Sequence, residues 1–124
     1  MVFHYGDSPV EVVHPGPAHT YGDLMIYLPK YRVLFASDVA FIYVAPFAHN
    51  AHVGKWLDTV DRIMKMDVET IVPGHGPICG KKELAESYIH RHMLAVEMNA
   101  RRVATGDASR IKRYDRILGL SSNA

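Results

Sequence analysis

"ETIVPGHGPICG", Glu69–Gly80, is the stretch whose reading decides the fold. An apolar run with strand character leads straight into a loop that sets His75 between glycines and prolines. Pro73 and Pro77 stiffen that loop. Gly74 and Gly76 open backbone conformations closed to other residues and remove side-chain bulk beside the imidazole. A loop of this kind does not serve core packing. Either it presents one ring rigidly at a strand end, or it is a tight turn whose histidine is incidental. The rest of the chain has to choose between the two.

Two further segments share the design of apolar strand, short turn, then a metal-competent side chain. "VVHPGPAHTYGD", Val12–Asp23, offers His19 with Asp23 nearby, and "VLFASDVAF", Val33–Phe41, offers Asp38 at the end of a strand. In α/β sheets, sites collect at strand ends, so His19, Asp38 and His75 can meet on one edge although distant in sequence. Two imidazoles and a carboxylate are sound ligands for Zn²⁺ or a similar divalent ion. Each motif alone is weak; the ordered trio is a specific signal.

The surrounding elements support a layered α/β domain. "VEVVH", Val10–His14, reads as a short strand closed by "PGPAH". "LMIYL", Leu24–Leu28, and "RVLFA", Arg32–Ala36, flank "PKY" as a hairpin. Both are apolar on both faces, so the sheet expects cover on two sides. Val39–His52 reads as irregular. Val53, Trp56, Leu57, Val60, Ile63 and Met64 then recur at helical offsets of three and four. Glu69–Val72 is the last strand. A long helix is expected from about Lys81 toward Ala104, and Asp107 opens a short final one. These helices can cover one sheet face, which leaves the other as an interaction surface.

Composition bounds the alternatives. The 124 residues make a single domain, 48% hydrophobic and 22% charged, with a formal net charge of +1. Residues 1–80 carry 5 Lys/Arg against 8 Asp/Glu, and residues 81–124 carry 9 against 5. The basic tail lacks the dense cationic run and interleaved aromatics of a nucleic-acid surface, so no nucleic-acid partner is expected. No apolar stretch is long enough to cross a bilayer and no signal-peptide shape opens the chain, so no membrane role and a cytoplasmic setting are expected. One cysteine, Cys79, excludes an internal disulfide and a cysteine-rich zinc cage. Eight histidines are the compositional hint of metal chemistry.

"GPAHTYGDLMIYLP", "RVLFASDVAF" and "TIVPGHGPI" resemble, in order and at plausible spacing, the third, fourth and fifth motifs of the metallo-β-lactamase superfamily. The resemblance covers roughly residues 10–80. It implies a four-layer αββα sandwich with a two-metal hydrolytic site on one edge. His19 would then be a ligand of the first metal, Asp38 the catalytic bridging carboxylate and His75 a ligand of the second metal. The implied cofactor is Zn²⁺, two per complete site, with Fe or Mn as alternatives, and the implied substrate is a small molecule.

The family's His-x-His-x-Asp-His motif, which supplies the remaining ligands, is absent from the sequence. The chain therefore resembles the C-terminal half of that fold: one mixed sheet with helices on one face. Each ion would keep one private histidine and a share of Asp38, fewer than the usual three ligands, so weak metal binding is expected. A rearranged single-ion site with both histidines and Asp38 is the competing geometry. Ser37 stands where relatives usually have glycine.

Other residues are weighed on the same terms. His14 suits a loop hydrogen bond. His49 and His52, in "AHNAHVG", are either solvated imidazoles before a helix or, by the resemblance, substrate-side groups. Asp23 braces its loop, with indirect support of the metal site as the functional reading. His90 and His92, two apart, do not share a helix face. Cys79 reads as an unactivated, partly buried thiol and Trp56 as core. Two functions remain open. One is half of a zinc-dependent hydrolase, inactive without the N-terminal half. The other is a half-fold that pairs with a second copy through its uncovered sheet face, with vestigial metal binding.

Overall fold

Five strands form one mixed sheet in sequential order: β1 (Val2–Tyr5), β2 (Ser8–Val13), β3 (Met25–Leu28), β4 (Val33–Phe41) and β5 (Thr70–His75). The computed structural model describes residues 1–87. The first four strands pair antiparallel and β5 runs parallel to β4. That parallel step requires a crossover, supplied by helix α1 (Val53–Lys65). A short helix α2 (Lys81–Ala85) follows. It starts where the sequence places a helix but ends at Ala85, with Glu86 as its C-cap and Ser87 in a bend, so the expected long helix is not continuous from Lys81. The stretch on to Ala104, Asp107, His90 and His92 lie outside the described residues. Among the described residues no helix is long and apolar enough to cross a membrane.

The sequence reading needs three further corrections. Strand β1 was not expected; Gly6, at φ 61°, closes a tight hairpin that pairs it with β2. Strand β4 runs on to Phe41 rather than ending near Asp38, because after a bulge at Ser37 it regains pairing with β5. His75 is for the same reason the last residue of a strand, opposite Phe41, and not a loop residue. The "PKY" hairpin exists as read, with a 3-10 turn at Pro29–Tyr31 and Arg32 in the left-handed region at φ 54°.

One face of the sheet is sealed by α1. Trp56, Leu57, Val60 and Ile63 turn inward at helical spacing onto Met25, Leu34, Ala36 and Ile71. Val53 and Met64, placed in the same stripe by their spacing, are only half-buried at its margins. Trp56 is fully buried because its one polar atom is satisfied: Nε1 donates to Val39 O at 2.8 Å. Arg32 joins the starts of β4 and β5. Its carbonyl accepts from Glu69 N at 2.9 Å, and its guanidinium pairs with Asp67 and Glu69.

The opposite face is uncovered among the described residues. Val12, Ile26, Phe35 and Val72 form one cross-strand row over β2–β5. With Leu24, Ser37 and Pro73 they line a shallow trough of about 490 Å³. Leu24 is 51% exposed, Ile26 40% and Phe35 42%. The residual apolar face inferred from the strand pattern is present.

Candidate metal centre

Ser37 fixes the geometry of the site edge. It sits at φ 51°, in the left-handed region, exactly one residue before Asp38 on the bulge of β4. The bulge re-aims Asp38 toward the sheet edge. A side chain at φ > 0 is strained, which gives a physical reason for glycine at this position in relatives. On β5, Gly74 faces that bulge. A Cβ there would collide with Asp38 Oδ1 and lie 2.7 Å from the Ser37 carbonyl carbon. A Cβ on Gly76, at φ 98°, would likewise collide with the Ile42 carbonyl oxygen. The sequence places both glycines as room beside the imidazole; the structure shows Gly74 making room for the carboxylate instead.

The three residues singled out by the sequence meet here. His19 Nδ1 faces Asp38 Oδ2 at 3.8 Å, and His75 Nε2 faces Asp38 Oδ1 at 3.3 Å. One carboxylate thus addresses an imidazole with each oxygen. The His19 side chain is 18% exposed, Asp38 40% and His75 54%, so the site opens to solvent on the β5 side.

His19 carries the most informative detail. Its Nε2 lies 2.9 Å from Phe47 O. A carbonyl can only accept, so Nε2 carries a proton and Nδ1 is the ring nitrogen turned toward Asp38. That Nδ1 is buried without a hydrogen-bond partner, and the group it faces, at 3.8 Å, is a carboxylate oxygen. A buried ring nitrogen without a hydrogen-bond partner, set across a gap from a carboxylate oxygen, leaves room for a cation between them.

Aromatic rings hold both imidazoles. Phe41, 4% exposed, stacks on His75 at 4.6 Å and 14°, and lies 5.4 Å from the His19 ring. Trp56 meets His19 edge-on at 5.4 Å and backs Phe41 at 6.1 Å. Sequence reasoning missed Phe41. Its signal was position alone, three residues after Asp38 on the same strand.

The remaining candidates have definite places. Asp23, 7% exposed, accepts from Thr20 N and Thr20 Oγ1, both at 2.8 Å, and so ties down the residue after His19. His14 accepts from Gly16 N at Nδ1 and reaches Tyr21 O at 2.9 Å with Nε2, so both ring nitrogens serve the loop. His52 caps the start of α1; its N–H donates to Ala18 O at 2.8 Å and its ring meets Tyr21 edge-on at 4.4 Å. His49 is exposed and stacks on Phe47 at 5.7 Å. None of these four faces Asp38 in the way His19 and His75 do. Burial pushes the Cys79 thiol up, with Glu83 adding to the effect, which makes it a poor nucleophile.

The donor set fits two half-sites, each made of one imidazole and one oxygen of Asp38. It does not fit one complete site: among the described residues, no three His, Cys, Asp or Glu side chains are grouped to hold a metal ion. His19 and His75 approach opposite oxygens of Asp38.

Comparison with known proteins bears on the family and the fold. The sequence profile of the Metallo-beta-lactamase superfamily matches residues 3–75. A metallo-beta-lactamase type 2 of Bacillus sp. (strain 170) is 28% identical over 82 residues, 62% of this chain and 32% of its own length. The 2,4-dinitroanisole O-demethylase subunit alpha of Nocardioides sp. (strain JS1661) is 30% identical over 70 residues, 52% of this chain and 20% of its own. Among solved structures, a metallo-beta-lactamase from Pontibacter korlensis superposes with a TM-score of 0.62 at 26% identity, over 68% of this chain and 42% of that one. The chain spans at most about a third of the length of these curated relatives.

Proposed function

The chain belongs to the metallo-beta-lactamase superfamily, and on that premise we propose that it contributes one half of a dinuclear, zinc-dependent hydrolytic site. Asp38 is the shared carboxylate, His19 serves one ion and His75 the other. The observation that carries this reading is the division of Asp38: Oδ2 toward His19, Oδ1 toward His75. The remaining ligands come from polypeptide beyond these three motifs. Small-molecule hydrolysis requires them, because two ligands per ion fall short of a catalytic site.

His19, Asp38 and His75 would hold divalent ions, which when bound would supply Lewis-acid activation of water and of the scissile group near neutral pH. The chain's own residues supply position. Phe41 and Trp56 wall off the protein side of both imidazoles, and the Phe47 carbonyl fixes the His19 tautomer. Gly74 leaves room for the carboxylate, and Asp23 holds the loop that delivers His19. Substrate identity stays open at this level: the two curated relatives above are named for different reactions, and fold does not fix substrate.

Titration of the purified chain with Zn²⁺ or Co²⁺ tests the assignment. Uptake should be weak, and Asp38→Ala should abolish it. His19→Ala and His75→Ala should each remove one of two binding events. Retention of uptake in Asp38→Ala, or loss of both events in a single histidine variant, would overturn the assignment. The chain by itself is expected to turn over neither lactams nor esters.

A second reading is favoured by the uncovered row Val12–Ile26–Phe35–Val72. Here the half-fold pairs with a second copy through that face and metal binding is vestigial. Sedimentation decides it: a monomer at micromolar concentration removes the dimer.

A further inference from the structure

Resting on the site proposed above, we infer that it receives a substrate with a neutral, apolar body rather than one recognised through a phosphate or carboxylate. Three segments deliver His19, Asp38 and His75 to the edge. Residues 14–22, the run after Asp38 over 39–52, and residues 70–80 contain no Lys, Arg, Asp or Glu, although 22% of the whole chain is charged. Asp23, next to the first segment, is spent internally on Thr20. These segments therefore offer an anionic substrate group no guanidinium or ammonium, the usual partners for carboxylate and phosphate.

What they offer instead is apolar and exposed. Each delivering segment displays such a side chain shortly past its site residue. Tyr21 is 69% exposed after His19, Tyr43 83% and Val44 45% after Asp38, and Ile78 67% after His75. Phe47, 82% exposed, belongs to the same rim, since its own carbonyl meets His19 Nε2 at 2.9 Å. Large side chains left in water beside a polar cluster mark a ligand-contact surface. The recognition chemistry matches an ester or amide with an apolar acyl or aryl portion.

The test compares methyl phenylacetate with phenylacetate, which share an aryl body and differ in charge. Each is titrated into the chain at pH 8 without added metal, and binding is read from Trp56 emission. Trp56 is the sole tryptophan and lies 5.4 Å from the His19 ring. The neutral ester should bind at least about fivefold tighter than the anion. Phe47→Ala with Ile78→Ala should lose most of the ester affinity, and Phe47→Lys should raise phenylacetate to the level of the ester. Both positions are exposed, so unliganded emission should match the parent chain. Equal or tighter binding of the anion, or full ester affinity in the double alanine variant, would overturn the inference. Because no metal is added, failure here is distinct from failure of zinc uptake, which bears on the site assignment alone.

Discussion

Along β3 and β4, Met25 and Leu34 are 3% and 0% exposed, whereas their neighbours Ile26 and Phe35 are 40% and 42% exposed. The two sets belong to the same strands, alternate in sequence and are equally apolar. They differ in what lies against them: α1 on one face, open trough on the other. The lesson is that apolar alternation states a demand for burial, and that tertiary packing alone determines which face has it met. The row Val12–Ile26–Phe35–Val72 is thus a core surface without a core among the described residues.

Breaking this comparison begins with the largest effect. Leu34→Ala empties a fully buried site under α1 and should destabilise by about 2–5 kcal/mol. Phe35→Ala, one residue on, should shift stability by only about 0.5 kcal/mol in the isolated chain. Parallel urea melts check both. Comparable losses would mean that Phe35 is packed in solution, and a melt of Phe35→Ala that depends on protein concentration would point to self-association through that face.

A second experiment concerns the site edge. Gly74→Ala forces a methyl group onto Asp38 and the Ser37 backbone. Zinc uptake should fall at least about tenfold, an energy of about 1.4 kcal/mol, while the secondary structure seen by circular dichroism persists. Phe41→Leu should keep the position apolar but release the His75 ring, so its imidazole resonances in NMR should broaden or shift while those of His14 stay put.

Smaller effects sharpen the picture. Ser37→Gly removes the strain of a side chain at φ 51° and should add about 1 kcal/mol of stability. A thermal melt that drops instead would show that the Ser37 side chain has a partner. Glu83 accepts hydrogen bonds from its own backbone N–H and from Gly80 N, which hold its carboxyl below the usual carboxylate range. A lowered folded value means the contribution is present at neutral pH and lost as pH falls through that value. Acid unfolding should therefore be slightly less steep in Glu83→Gln, which keeps an acceptor but cannot titrate.

Much of this was legible in the chain. Breaker residues at fixed offsets from apolar runs singled out His19, Asp38 and His75, because Gly and Pro restrict the backbone locally whatever the surroundings. The stripe of α1 was legible for a similar reason, since helical periodicity is a property of neighbours three and four apart. Asp23 could be read as a loop brace because its partner, Thr20, is three residues away.

Other features were not legible. Phe41 reads as one more apolar residue; only the pairing of β4 with β5 sets it opposite His75 and between the two imidazoles. The extension of β4 past Ser37 depends on a partner strand more than thirty residues away. The His19 tautomer depends on a carbonyl 28 residues on.

The sequence by itself determined which metal-competent side chains stand beside strand ends and that both faces of the sheet are apolar, because residue type and short-range spacing set those properties. Tertiary structure alone decided that Asp38 turns one oxygen to each imidazole, and that α1 seals one face while the other stays open. Register across strands and the placement of a crossover helix arise from contacts between distant segments, and no local pattern encodes them.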